Sequence, residues 1–138
     1  MPKITSIKGR ILYNSRTSKT IEVDLTSDNQ YLGRACAPSG ASVGKYEAIS
    51  FADGKVENSL KIFNENSSKF LGLDSSDLKS VHDAIRSIDD TPGYSKIGGA
   101  VAYAVTIAAL ESASKALNKY MFQIVSPKLL FYIWFSSN

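Results

Sequence analysis

The chain has 138 residues, 43% hydrophobic and 21% charged, with a formal net charge of +3, a balance that suits one soluble domain able to bury a sizeable core. Its Lys and Arg residues are dispersed and no acidic run occurs, which argues against a nucleic-acid stripe or a solvating tail. A single cysteine, Cys36, excludes an internal disulfide and any Cys cluster for metal. Because it lies in a strand-like segment, Cys36 is expected to be a small core residue, and a reducing, cytoplasmic location fits. The opening MPKITSIKGR contains no long apolar stretch, so no secretory signal is expected.

In chain order, Ile4, Ile7, Ile11 and Leu12 mark a first, irregular strand. Ile21, Val23 and Leu25 alternate with Glu22 and Asp24 in a second, and Tyr31 to Ala37 form a third. The short polar joins at Asn14 to Lys19 and Ser27 to Gln30 predict antiparallel hairpins, hence a meander with one face free to be covered.

After residue 55 the period becomes helical. Val56, Leu60, Phe63, Phe70 and Leu71 predict one amphipathic helix, and Leu78, Val81, Ile85 and Ile88 predict another with Asp77 in its first turn. FLGLDSSD and DDTPGYSK supply the breaks. A third helix is expected from about Ile97 to Asn118, opened by Gly98 and Gly99 and kept thin by alanines for close backbone approach. Strands followed by helices predict an α+β fold, a three-stranded antiparallel meander with about three to four helices packed on one face. Residues 1–128 read as one domain, and 129–138 as a separate apolar tail.

Between the strands and the helices stands Pro38-Ser39-Gly40-Ala41-Ser42-Val43-Gly44-Lys45-Tyr46-Glu47-Ala48. Two glycines four apart free the backbone so that amide N–H groups can face an anion, and Ser39 and Ser42 add hydroxyls. An ordinary surface turn has the same composition. Gly40 to Lys45 is not a nucleotide P-loop, which needs four residues between its glycines and a Ser or Thr after the Lys; here there are three, followed by Tyr46.

PSGASVGKYEA resembles the catalytic loop of the enolase family, P-S-G-A-S-T-G-x-x-E-A, with Val43 where Thr is usual. Gly9 to Arg16 (GRILYNSR) resembles the family's A-R-x-x-x-D-S-R, and Thr20 to Leu25 (TIEVDL) its T-V-E-V-D-V strand. Ile88 to Ala116 resembles its L-D-G-T-x-N-x-S-K-x-G-A/G-N-A segment, with a Gly-Gly like that of archaeal enolases. The resemblance covers most of residues 4–125. Asn14, Thr17-Ser18-Lys19 and Ala100 depart from it in local turns.

The resemblance implies the small N-terminal domain of phosphopyruvate hydratase, the Mg²⁺-dependent glycolytic lyase that converts 2-phosphoglycerate to phosphoenolpyruvate. In that design a C-terminal barrel supplies the main metal carboxylates and the acid–base pair, and these 138 residues stop before it, so the chain alone is expected to be catalytically incomplete. The lid's share would be Ser39, Gly40, Ala41, Ser42, Val43 and Gly44 closing over substrate, with Ser42 offering its oxygens to a second Mg²⁺. Arg10 and Glu22 would stand at subunit contacts, or be exposed strand charges. Lys45 is a variable or solvated lysine; Glu47 caps or tethers the loop; His82, the only histidine, is expected at the surface without metal.

Leu129 to Asn138 (LLFYIWFSSN) leave the family pattern. Seven consecutive apolar residues are too few to span a bilayer and form a strand-prone end. The segment reads as a frameshift scar, a truncated gene end, or a piece that packs on this domain or on a partner. Three functions follow: an incomplete enolase capping domain, a regulatory module that binds an intact enolase, or an independent phosphate-binding domain. Neither nucleic acid nor membrane is expected as a partner.

Overall fold

A computed structural model describes residues 1–13, 15, 18–37 and 51–125. Three strands, β1 (Ile4–Tyr13), β2 (Lys19–Ser27) and β3 (Tyr31–Cys36), form an antiparallel sheet in the order β1-β2-β3. Four helices follow: α1 (Val56–Asn66), α2 (Leu78–Ile88), α3 (Gly99–Leu117) and the short α4 (Met121–Ile124). The α+β meander expected from the sequence is what forms.

Alternation sorts the sheet into two faces. Ile7, Gly9 and Ile11 pair with Leu25, Val23 and Ile21, and Val23 and Leu25 pair with Ala35 and Gly33, so these residues share the inner face. A register shift between Ile4 and Ser6 keeps Ile4 on that face opposite Ser27. This is the irregularity that the spacing of Ile4 and Ile7 implied. The β2–β3 turn places Asp28 and Asn29 at φ 54° and 56°, a conformation these short polar residues tolerate. Asp28 ties the turn to the N-terminus by accepting from Lys3 N at 2.9 Å.

α1 covers β1, and α3 lies along β2 and β3. The alanines of α3 permit this close approach: Ala104, Ala108, Ala109 and Ala113 are fully buried. α3 is long and apolar enough to cross a membrane by length and composition, but ten of its residues are buried inside this domain. Gly98, at φ 93°, precedes the helix and Asn118, at φ 53°, closes it, matching the predicted limits.

The first helix differs from its expected extent. It stops at Asn66, and Ser67–Phe70 form a 3-10 turn. Phe70 is still fully buried, with its ring 6.2 Å from that of Phe63, whereas Leu71 is exposed and Gly72 turns the chain at φ 86°. α2 begins where Asp77 accepts from Ser80 N at 3.3 Å, an N-cap. His82 is exposed on that helix, as expected.

Candidate functional site

The loop singled out by the sequence, Ser39 to Gly44 with Lys45 and Glu47, lies outside the described residues. Its two supports are described, and both lead to the start of β2. On the strand side, Ala37 N donates to Ile21 O at 3.1 Å, and Thr20 Oγ1 donates to Ala37 O at 2.8 Å. Thr20 and Ala37 are both buried, so this exit is dry and fully paired.

On the helix side, Ala52 N donates to the buried Ser59 Oγ at 2.8 Å, which closes the 3-10 turn Ala52–Gly54 onto α1. Glu57, in the first turn of α1, meets Lys19 Nζ at 2.5 Å. The hydrogen bond raises the Lys19 pKa and lowers that of Glu57, each stabilising the other's charge. Both groups are exposed, so the pair adds orientation more than stability. Residues 20 and 21 thus bond the strand-side end of the segment between Ala37 and Phe51, and Lys19 reaches the first turn of α1 beyond its other end.

The second candidate, Arg10 with Glu22, is brought together on the outer face of the sheet. The two residues pair directly in the β1–β2 ladder, with Arg10 Nε 3.2 Å from Glu22 Oε1. Arg10 also contacts the Asp24 carboxylate. From β3, Arg34 reaches Asp24 with Nε at 2.7 Å and Nη2 at 2.9 Å, a bidentate pairing. Its Nε lies 3.6 Å from Glu22. The guanidiniums are about half exposed while Glu22 is buried, so the face presents two arginines pinned from below by carboxylates.

Cys36 belongs to this face, not to the core. Ala35 and Ala37 point inward, so the intervening Cys36 must point outward, and it is exposed. Its Sγ donates to Glu22 Oε2 at 3.1 Å. Burial of the thiol group, together with that bond and the Glu22 charge, pushes its pKa up to about 11. The sequence reading missed Arg34 and Cys36 as partners of Glu22, and Asp24 as a partner of both arginines; alternation along paired strands was the signal that could have found them.

A third polar centre escaped the sequence reading. Asp89, fully buried after α2, accepts from Thr91 N at 2.9 Å, Lys96 N at 2.8 Å and Ile97 N at 2.9 Å, and also from the Thr91 hydroxyl. Burial pushes its pKa up, but donors from Thr91, Ile97 and Lys96 outweigh it and hold the carboxyl below the usual aspartate range. Asp89 organises the turn that delivers Gly98 to the start of α3.

Among the described residues no three His, Cys, Asp or Glu side chains gather to hold a metal ion. Glu22 and Asp24 are adjacent, but arginines occupy them. Ser42, the residue tied to Mg²⁺ by resemblance, is outside the described part, so the described residues do not by themselves form a Mg²⁺ site.

A family profile described as "Enolase, N-terminal domain" matches residues 4–125. The chain is 33% identical over 123 residues to the enolase of Methanosphaera stadtmanae, covering 88% of this chain and 30% of that protein. With the enolase of Methanothermobacter thermautotrophicus it shares 32% identity over 127 residues, covering 91% and 30%. The chain therefore spans about a third of the length of these relatives.

Proposed function

The chain belongs to the enolase N-terminal domain family, and from that premise we propose that it is the lid domain of an enolase, acting in the dehydration of 2-phosphoglycerate to phosphoenolpyruvate. The observation that carries the reading is the match over residues 4–125, a range that includes PSGASVGKYEA. The supports of that segment agree with a lid: Ala37 is bonded to Thr20 and Ile21, Ala52 is bonded to Ser59 of α1, and Ser39 to Gly44 between them are small residues with two Gly and two Ser.

In this reading Ser39 to Gly44 close over the substrate phosphate, exclude water and present backbone N–H groups to the anion. Ser42 offers oxygens toward Mg²⁺, whose role in such chemistry is to stabilise the negative charge that grows when a proton leaves carbon beside a carboxylate. The base and the main metal carboxylates come from outside these residues. The outer sheet face, with Arg10 and Glu22, serves as a subunit or barrel contact, and the setting is cytoplasmic.

Purified chain supplied with Mg²⁺ and 2-phosphoglycerate is expected to form no phosphoenolpyruvate. Turnover that follows the protein through purification would overturn the reading.

A further inference from the structure

Ser27, Ser75 and Ser112 are fully buried, yet they come from separate parts of the chain: the end of β2, the turn before α2, and α3. Their hydroxyls meet in a line. Ser75 Oγ lies 2.8 Å from Ser27 Oγ, Ser27 Oγ lies 2.7 Å from Ser112 Oγ, and Ser112 Oγ lies 2.6 Å from the carbonyl of Tyr31. The Pro2 carbonyl, 3.4 Å from Ser75 Oγ, already accepts from Ser75 N at 3.0 Å. Each hydroxyl has one proton to give. The Tyr31 carbonyl can only accept, so Ser112 donates to it, Ser27 donates to Ser112, and Ser75 donates to Ser27. That assignment alone puts a proton in every one of the short contacts, and it runs one way, from the turn before α2 to β3.

Along α3, Ala100, Ala104 and Ala108 recur every four residues and are all buried, with Ser112 next in the same row. Within this row only Ser112 tells one helical turn from the next. The close approach of Gly33 to Ala108 O and Ser112 N asks for helix backbone and small side chains, which the row offers at each turn. Displacement by one turn, about 5.4 Å, replaces alanine with alanine, and apolar burial is non-directional. The same displacement carries Ser112 away from Ser27 and Tyr31 and leaves both buried without that partner.

We propose that the hydroxyl chain Ser75–Ser27–Ser112 sets the register of α3, selecting one axial position on β2 and β3 from those the alanine row allows. Its direction matters. Ser112 holds the helix to the Tyr31 carbonyl, Ser27 reinforces that bond from β2, and Ser75 lies farthest from the helix. A buried polar group that specifies register, in a core that would otherwise accept a slip, is the role for which such groups are best attested.

NMR on the 138-residue chain tests this. In the unsubstituted protein the Gly33 α-protons should show nuclear Overhauser contacts to Ala108 and Ser112 in a single set of signals. In Ser112→Ala, β3 and α3 should give a second set at about a tenth of the intensity or more, in which the Gly33 contacts move by four residues, to Ala104 or to Ala116. Ser27→Ala, which keeps the bond from Ser112 to Tyr31, should give the same second set more weakly, and it carries the test if Ser112→Ala does not fold. Ser75→Ala should keep one register. A single set with the parent's Gly33 contacts in Ser112→Ala, or in Ser27→Ala if only that variant folds, would overturn the proposal even where the thermal midpoint falls, because the hydroxyls would then supply stability alone. A second set as large in Ser75→Ala as in the other variants would overturn it too, since general loosening would explain the slip.

Discussion

Thr20 Oγ1 donates to the carbonyl of Ala37 at 2.8 Å, joining the start of β2 to the last described residue before the Gly- and Ser-rich segment. Both partners are buried, so a substitution that keeps the shape but loses the hydroxyl leaves a dry carbonyl without its donor. Thr20→Val is expected to cost about 2 kcal/mol. Hydrogen exchange should show the loss concentrated at the Ala37 end of β3, while α2 and α3 keep their protection. An unchanged midpoint in urea would show that the bond does not hold this end.

Gly33 stands against the backbone of α3. A Cβ there would lie 1.9 Å from Ala108 O and 2.7 Å from Ser112 N, and neither atom can swing aside as a side chain would. Gly33→Ala is expected to destabilise the domain by about 3 kcal/mol through helix displacement. Gly9 provides the comparison: its Cβ would meet the Phe63 ring at 2.9 Å and Leu60 Cδ1 at 3.0 Å, and these are side chains. Gly9→Ala should cost less, and equal losses at the two sites in thermal melts would contradict the difference in rigidity.

Asp89 makes stability depend on acid. Its folded pKa is depressed, so its contribution is present in full above the unfolded aspartate value of about 3.9 and is lost as pH falls through the lower folded value. Asp77, whose carboxylate caps α2 through Ser80, is shifted in the same direction. Denaturation midpoints should therefore fall below about pH 4. Asp89→Asn removes one charged acceptor from the Thr91, Lys96 and Ile97 amides, should lower stability by about 2 kcal/mol at neutral pH, and should flatten the acid limb. An acid limb as steep as the parent's would assign the effect to other carboxylates.

The thiol of Cys36 should be slow to alkylate. With its pKa pushed up to about 11, almost none is thiolate at pH 8. Glu22→Gln removes the negative charge that the sulfur bonds to, so iodoacetamide should react faster with that variant. Equal rates in the two proteins would mean that Glu22 does not control the thiol.

The architecture was legible in the sequence because its signals are periodic and local. Alternation at Ile21, Val23 and Leu25 identified β2, and the alanines of Ala100 to Ala113 identified the close-packed helix. Failures arose where a tertiary contact decided the outcome. Phe70 fits a helical spacing from Phe63, yet the need to bury it beside that ring is met by a 3-10 turn. Cys36 looked like core because it lies in a strand-like segment, and only the β2–β3 register turns it outward toward Glu22. Asp89 read as part of a break because its four donors come from residues as far on as Ile97. Arg10 and Glu22 were legible as a pair of interest, but their joint lattice with Asp24 and Arg34 required three strands in register. Ser39 to Gly44 were proposed as a lid from motif resemblance alone, and they lie outside the described residues.

The most direct measurement replaces the matching N-terminal portion of the Methanosphaera stadtmanae enolase with residues 1–125 of this chain, and compares that chimera with its Ser42→Ala form. Both would be assayed for Mg²⁺-dependent dehydration of 2-phosphoglycerate after circular dichroism shows equal folding. The account predicts an active chimera whose kcat falls at least tenfold on substitution, a loss of about 1.4 kcal/mol or more in transition-state stabilisation. Equal kcat in the two folded chimeras would contradict the assignment of Ser42 and its loop to the closing lid.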